Sequence, residues 1–189
     1  ISFEDVHFDA GKIVPTPRVY HSSTVSDYGR SENMLFIYGG RNAKKQVLND
    51  FYGLRRHNNG IWEWIEVPNT NKYNPIPRFQ HNIVFYYNFI LLLGGKNEES
   101  KNYLKTIPIE IYDTDSGKWE TLVAFNVYRN CCWRSKDVLY SQGGFDLSDD
   151  SITKSEVIQV LLEKLLTFNP IIKEKFEKIL GTAISIIPG

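Results

Sequence analysis

Short apolar runs recur along the chain, separated by segments rich in glycine, proline, asparagine and aspartate. Runs of this length, bounded by such residues, are typical of β-strands. Three of the runs lead into a pair of glycines, and the pairs lie 55 and 49 residues apart. The runs and their pairs are Met34–Tyr38 with Gly39-Gly40, Phe89–Leu93 with Gly94-Gly95, and Val138–Ser141 with Gly143-Gly144. Recurrence at this spacing predicts three units of similar structure.

Other features repeat in order on both sides of the glycine pairs. A Pro-Arg-x-x-His motif begins at Pro17 and again at Pro77, and we align Arg129 with the two motif arginines in the third unit, which lacks the proline and the histidine. Trp64 and Trp119 each lie 24 residues after the second glycine of their pair. No tryptophan follows the third pair at that distance. The sequence therefore predicts two complete units and a third that is partial.

Each unit is predicted to be a four-stranded antiparallel sheet. The first strand follows the arginine, the second ends at the glycine pair, and a glycine turn joins the third strand to the fourth. The glycine pair allows a backbone bend where side chains would clash. Because such a sheet cannot cover both of its faces alone, neighbouring units must stack as the blades of a propeller. We expect an all-β chain with about three four-stranded blades, a partial β-propeller, over residues 1–160.

The tail, residues 161–189, differs in character from the repeats. Leucines at positions 161, 162, 165 and 166 have helical spacing, and Asn169-Pro170 is a good helix start. An apolar face then continues to Leu180, and Gly181 is predicted to end the helix. The tail is thus predicted to be a short helical segment or linker. Capping of the propeller edge and docking of a partner are its two alternative functions.

The double glycine, the spaced tyrosine and the tryptophan resemble the Kelch repeat. Longer segments, residues 49–68, 75–95 and 109–119, are similar to the later blades of Kelch-containing Ser/Thr protein phosphatases of the plant and apicomplexan type. That family joins an N-terminal Kelch propeller to a C-terminal metallophosphatase domain. The resemblance covers roughly residues 1–160. It implies a binding and regulatory module without activity of its own.

Charge and cysteine content narrow the class of partner and the compartment. Lys plus Arg and Asp plus Glu are both 22, so the formal net charge is zero. This balance argues against nucleic acid or an anionic membrane as the partner. The two cysteines, Cys131 and Cys132, are adjacent and are not expected to bridge, which favours the cytoplasm or the nucleus. The chain begins at Ile1 without a methionine, and we expect it to be part of a longer protein.

The sequence shows no set of catalytic residues. The metallophosphatase runs Gly-Asp-x-His-Gly and Gly-Asx-His-Glu are absent, as are a P-loop and a nucleophile elbow. Some propellers are oxidases or lyases, but no constellation for that chemistry is visible here. We align His21, His81 and Cys132 with one another, so a metal site near the propeller axis is the alternative to structural histidines. We expect no catalytic residue, no cofactor and no metal ion.

Five basic residues are candidates for binding a protein partner. Arg18, Arg78 and Arg129 recur at the starts of inner strands, where they either hydrogen-bond carbonyls between blades or form a positive mouth for a phosphoprotein. Arg41 and Lys96 begin the loops after the first two glycine pairs, and both loops are expected on one face. Half a ring also leaves edges exposed, which predicts self-association.

Two functions remain open from the sequence. The first is a protein-binding regulatory module of a Ser/Thr phosphatase whose separate C-terminal domain removes phosphate from proteins. The second is a Kelch adaptor or scaffold unrelated to phosphatases, such as a substrate receptor for ubiquitin ligation or a cytoskeletal protein. Metallophosphatase motifs after Gly189 would distinguish them.

Overall fold

Two complete four-stranded antiparallel sheets form the centre of the computed structural model, which describes residues 1–9 and 12–186, with side chains up to residue 181. In each sheet the strands pair in sequence order. Blade 1 consists of β1 (Ser22–Val25), β2 (Leu35–Tyr38), β3 (Phe51–Arg56) and β4 (Trp62–Glu66). Blade 2 consists of β5 (Asn82–Tyr86), β6 (Phe89–Leu93), β7 (Pro108–Asp113) and β8 (Lys118–Ala124).

The third blade is smaller. A short pair of strands, β9 and β12, precedes and follows the glycine pair, and a three-stranded sheet is ordered β10-β11-β13. Its elements are β9 (Val127–Tyr128), β10 (Cys131–Ser135), β11 (Val138–Gln142), β12 (Phe145–Asp146) and β13 (Val157–Leu161). After β13 the chain continues into helices α1 (Leu162–Leu166) and α2 (Pro170–Ile186). A short 3-10 turn at Gly29–Ser31 lies between β1 and β2 of blade 1. These elements confirm the predicted all-β partial propeller with a short helical tail.

The blades stack because alternate residues of their strands point to opposite faces. Strand β1 lies beside β5, and β5 lies beside β10, so the first strand of each blade is the inner one. On β5, Ile83 and Phe85 join the core against blade 1, whereas Val84 and Tyr86 join the core on the opposite face. Trp119 of β8 is 2% exposed and completes the core between blades 1 and 2.

The glycine pairs connect neighbouring blades through their backbones. The N–H of Gly40 donates to the Arg78 carbonyl at 2.9 Å, and the N–H of Gly95 donates to the Val127 carbonyl at 2.9 Å. All glycines of the pairs have positive φ, the conformation that favours glycine. A Cβ on Gly39 would lie 2.5 Å from the Arg78 carbonyl oxygen. We call the contact between a glycine pair and the backbone of the next blade the glycine joint, since it fixes where that blade begins.

The helical tail occupies the place of the missing fourth strand of blade 3. Leu162, Leu166 and Ile172 are fully buried, and they share a core with the outward face of blade 2. Trp119 fills the equivalent space between blades 1 and 2. The tail therefore substitutes helical leucines for the tryptophan that the third unit lacks, and it packs as part of the propeller. The boundary at residues 160 and 161 stays a prediction.

The start of α2 agrees with the sequence, and its end does not. The Asn169 side chain accepts hydrogen bonds from the backbone N–H groups of Ile171 at 3.0 Å and Ile172 at 3.2 Å, as an N-cap does. The helix passes through Gly181 and extends to Ile186. Glycine permits a helix to end but does not compel it. No helix among the described residues has the length and apolarity to cross a membrane.

Two alanine substitutions isolate the energy of the glycine joint. A Cβ on Gly94 would overlap the Val127 carbonyl of the next blade, whereas a Cβ on Gly143 would meet only the Lys154 carbonyl, at 3.9 Å, among the described residues. Both glycines have positive φ, so both variants share the backbone strain of about 1 kcal/mol or more. We expect Gly94→Ala to lose roughly 2 kcal/mol more free energy of unfolding than Gly143→Ala in urea titrations. Equal losses would show that the joint adds no stability.

Candidate protein-binding face

The segments that follow the glycine pairs lie at one end of the blades, beside the segments that precede the inner strands. Val19 pairs with Arg41, and Phe79 pairs with Lys96, in isolated antiparallel bridges. In blade 3 the equivalent pair is Tyr128 with Phe145. This surface is called the loop face, and it comprises residues 18–21, 41–47, 78–81, 96–105 and 127–130. Arg41 and Lys96 therefore lie on the same face.

A chain of backbone hydrogen bonds runs across the inner edge of the loop face. Tyr20, Gln80 and Arg129 have φ values of 59°, 56° and 58°, so they share the left-handed conformation. The N–H of Gln80 donates to the Tyr20 carbonyl at 3.0 Å, and the N–H of Arg129 donates to the Gln80 carbonyl at 2.9 Å. These three residues are therefore equivalent positions in the three blades.

This equivalence corrects the alignment of the third unit. Counting back from Arg129, the residue that matches Arg18 and Arg78 is Val127, whose carbonyl accepts the Gly95 N–H as that of Arg78 accepts the Gly40 N–H. The residue that matches the two motif histidines is Asn130, not Cys132. Aligning the arginines was wrong by two residues, because an isolated arginine is a weaker marker of register than the backbone conformation that follows it.

Arg78 is completely buried and is used within the protein. Its guanidinium donates to the carbonyls of Gly94 at 2.8 Å and Pro108 at 3.2 Å, and it forms a salt bridge with the buried carboxylate of Glu110. Removing one partner of such a pair costs about 3–5 kcal/mol, because the other charge stays buried. A partner protein does not reach this guanidinium in the folded chain.

Arg18 is arranged in the same way in blade 1. Only 3% of its side chain is exposed, and it forms a salt bridge with Asp50 and donates to the Gly39 carbonyl at 3.1 Å. The acceptors of both arginines belong to the arginine's own blade. Arg18 and Arg78 thus hydrogen-bond carbonyls within their own blades, whereas the structural alternative expected such bonds between blades.

The accessible positive charge of the loop face comes from other side chains. The Lys96 ammonium lies 4.2 Å from the centre of the Tyr103 ring and 5.1 Å from that of Tyr128. Lys105, which the sequence did not single out, lies on the same Tyr103 ring at 3.2 Å. Arg129 is exposed and has no salt bridge to a described residue. These side chains form a basic and aromatic surface.

Arg41 contributes less charge to this surface, since Glu99 neutralises it. Its guanidinium forms a salt bridge with the Glu99 carboxylate and lies 5.1 Å from the centre of the Tyr20 ring. The partner-binding role of Arg18, Arg41, Arg78, Lys96 and Arg129 stays a prediction. The structure brings Lys96 and Arg129 into accessible positions and buries the guanidiniums of Arg18 and Arg78.

His81 lies behind this face and is shielded from solvent. It is 6% exposed, and neither ring nitrogen has a hydrogen-bond partner within the part of the chain that the structure describes. Burial, and then the positive charge of Arg78, lower the pKa of His81 to about 3. Its ring packs edge-on against Tyr38, with the ring centres 5.7 Å apart. Among the described residues, no three His, Cys, Asp or Glu side chains are grouped to hold a metal ion.

The fold and its repeated joints define a partial β-propeller of stacked antiparallel blades. The family described as the KLHDC2/KLHL20/DRC7 Kelch-repeats domain matches residues 6–170. The chain therefore belongs to this Kelch-repeat family and is a protein-interaction module. The Kelch domain is non-catalytic.

Relatives with different functions share these repeats. The chain is 30% identical to the serine/threonine-protein phosphatase BSL2 of Arabidopsis thaliana over 105 residues, which is 56% of this chain and 10% of that protein. It is 28% identical to Kelch-like protein 41b of Danio rerio over 133 residues, which is 68% of this chain and 20% of that protein. The chain thus spans a small part of each relative.

A solved structure supports the fold. The chain matches a protein in the "Cryo-EM structure of RAG in complex with one melted RSS and one unmelted RSS" with a TM-score of 0.65 and 16% identity. The match covers 82% of this chain and 50% of that one. At this identity the likeness shows the fold alone.

The buried His81 predicts a pH dependence of stability. Because the pKa of His81 is held below its ordinary value of 6.5, the unfolded chain takes up a proton below pH 6.5 that the folded protein does not take up. The free energy of unfolding should therefore decrease as the pH is lowered from 6.5 towards the pKa of His81 in the folded protein. The decrease should be up to about 1.4 kcal/mol per pH unit.

The variant His81→Asn tests this, since asparagine occupies the equivalent position in blade 3. Its unfolding free energy, measured in urea from pH 7.5 to 5, should fall less steeply than that of the wild type. The absolute loss of stability in the variant does not matter for the comparison. Identical slopes would show that His81 titrates alike in the folded and unfolded chain.

Proposed function

We propose that the loop face binds an acidic or phosphorylated segment of a partner protein, and that the chain thereby selects substrates for a Ser/Thr protein phosphatase. The observation that carries the binding proposal is the placement of Lys96 and Lys105 on the Tyr103 ring. Arg129, which is exposed, directly follows Tyr128, the second ring that Lys96 contacts. The proposed partner is a protein, and neither nucleic acid nor a membrane is proposed.

The physical basis of this proposal is an ordered, positive and only partly neutralised surface. Aromatic rings beneath an ammonium group hold it in place while its N–H donors remain available. Phosphate and carboxylate oxygens accept charge-assisted hydrogen bonds from such donors, which are about twice as strong as neutral ones. Since the whole chain has a net charge of zero, local clustering and not overall charge provides the attraction.

The phosphatase part of the proposal rests on the likeness to BSL2 and on the repeat segments that resemble Kelch-containing phosphatases. The activity would belong to a separate domain, since residues 1–189 contain no metallophosphatase motif. The adjacent cysteines are consistent with a cytoplasmic or nuclear location. We also propose that the uncovered face of blade 3, which exposes Trp133 and Val157, favours self-association.

An adaptor or scaffold unrelated to phosphatases is the second candidate. The likeness to Kelch-like protein 41b covers 68% of this chain, more than the likeness to BSL2 covers, and this favours the second candidate. Sequencing of the coding transcript beyond the codon for Gly189 distinguishes the two. Metallophosphatase motifs there would support the phosphatase proposal, and a transcript that ends without such motifs would contradict it.

Binding to the loop face is tested with matched peptides. Fluorescein-labelled phosphoserine peptides and their unphosphorylated copies are titrated with the chain, and fluorescence anisotropy reports binding. We expect the best phosphopeptides to bind at least about tenfold more tightly than their copies, a difference of about 1.4 kcal/mol. The double variant Lys96→Glu/Arg129→Glu should lose this preference.

Lys118→Glu is the matched control, because Lys118 is exposed at the start of β8, at the opposite end of blade 2. It should bind the phosphopeptides as the wild type does. Equal binding of phosphorylated and unphosphorylated peptides, or undiminished binding by the double variant, would overturn the proposed binding surface.

A further inference from the structure

A cavity of about 320 Å³ lies between blades 2 and 3, where blades 1 and 2 each hold an arginine side chain. Val127 stands at the position of Arg18 and Arg78 and lines this cavity. Because valine is much shorter than arginine, the space that a guanidinium fills in the other blades remains open. We call this cavity the arginine slot.

The acceptors of the missing guanidinium are still present. In blades 1 and 2 the arginine donates to the carbonyl of the first glycine of the pair, Gly39 at 3.1 Å and Gly94 at 2.8 Å. Gly143 is the equivalent glycine and lines the arginine slot. Among the described residues, its carbonyl receives no hydrogen bond of the kind that Arg18 and Arg78 donate.

The carboxylate that partners the arginine has an equivalent as well. Gln142 pairs with Val157 as Tyr38 pairs with Phe51, so Glu156 occupies the position that Asp50 occupies in blade 1. Glu156 also lines the arginine slot, and it forms no salt bridge with a described residue. The carbonyl and the carboxylate of the blade 1 arrangement are therefore retained in blade 3, while the arginine itself is absent and Ile158 stands where blade 2 has Glu110.

The remaining charges of the slot balance each other. Lys154 forms a salt bridge with Asp146 at 3.0 Å, and both line the cavity. Hydrogen bonds from Ser148, and then from Lys154, lower the pKa of Asp146 to about 2, so this carboxylate stays ionised. With that pair neutralised, Glu156 leaves the slot one negative charge.

We propose that the arginine slot binds an arginine side chain of a partner polypeptide. The guanidinium would form a salt bridge with Glu156 and donate to the Gly143 carbonyl, and its methylene stem would lie against Val127 and Ile158. Arginine fits better than lysine, because its planar fork can satisfy a carboxylate and a carbonyl together, as Arg18 and Arg78 do in this protein. The site takes a basic group and is thus independent of the proposed function of the loop face.

An apolar cavity next to the slot indicates what stands beside the arginine in the partner. Its volume is about 200 Å³, and it shares Ala124, Phe125, Ser141 and Ile158 with the arginine slot. Ile109, Leu139 and Leu165 are among its other lining residues. The occupant is therefore a peptide segment with an arginine adjacent to a large apolar residue.

The probe for this site is the dipeptide acetyl-Leu-Arg-amide, and its control is acetyl-Leu-citrulline-amide, which has a similar shape without the charge. Binding to the ¹⁵N-labelled chain is followed by NMR. We expect saturable shifts of the Gly143 and Glu156 amides with a Kd of about 1 mM, near −4 kcal/mol. The citrulline dipeptide should bind at least fivefold more weakly.

Two variants test the assignment of residues. Glu156→Gln should weaken arginine binding at least fivefold, and Glu66→Gln, an exposed control on blade 1, should leave it unchanged. Val127→Arg places the repeat's own arginine in the slot and should abolish binding, while its NMR spectrum shows that the fold is kept. Equal binding of the two dipeptides, no effect of Glu156→Gln, or shifts confined to other residues would overturn the proposal.

Discussion

The hydrogen bond from the second glycine of the first and second pairs to the first residue of the next inner-strand segment is the constraint on which the propeller depends. It recurs between blades 1 and 2 and between blades 2 and 3 at the same length of 2.9 Å. The close approach leaves no room for a Cβ on the first glycine, and the positive φ of both glycines turns the chain away. Each inner strand is thereby placed beside its predecessor, and the loops that follow the glycines gather on one face.

Blade 3 keeps this backbone plan but changes its side chains. Helical leucines replace the missing tryptophan strand, so the core against blade 2 is completed by a different element. Val127 replaces the buried arginine, so the cavity that it lines with Gly143 and Glu156 is open to the arginine side chain of a partner that we propose. The same repeat therefore yields a stable joint where it is complete and a proposed binding site where it is incomplete.

Local patterns made the repeat predictable from the sequence. The glycine pairs, the alternating strands and the Asn169-Pro170 helix start depend on neighbours in sequence, and they appear at the predicted places. The alignment of Arg129 failed, because the register of the third unit is set by backbone conformation and by contacts with the other blades. Loop contacts such as Lys105 on Tyr103 also depend on the folded chain, and no sequence signal marks them.

Amide hydrogen exchange of the glycine pairs, followed residue by residue by NMR, tests the central role of the joint most directly. The Gly40 and Gly95 amides donate across blades, whereas the Gly144 amide has no acceptor among the described residues. We predict that Gly40 and Gly95 exchange slowly, with protection close to that of the core strands, and that Gly144 exchanges fast. Equally fast exchange of all three amides would contradict the claim that the glycine joint holds the blades together.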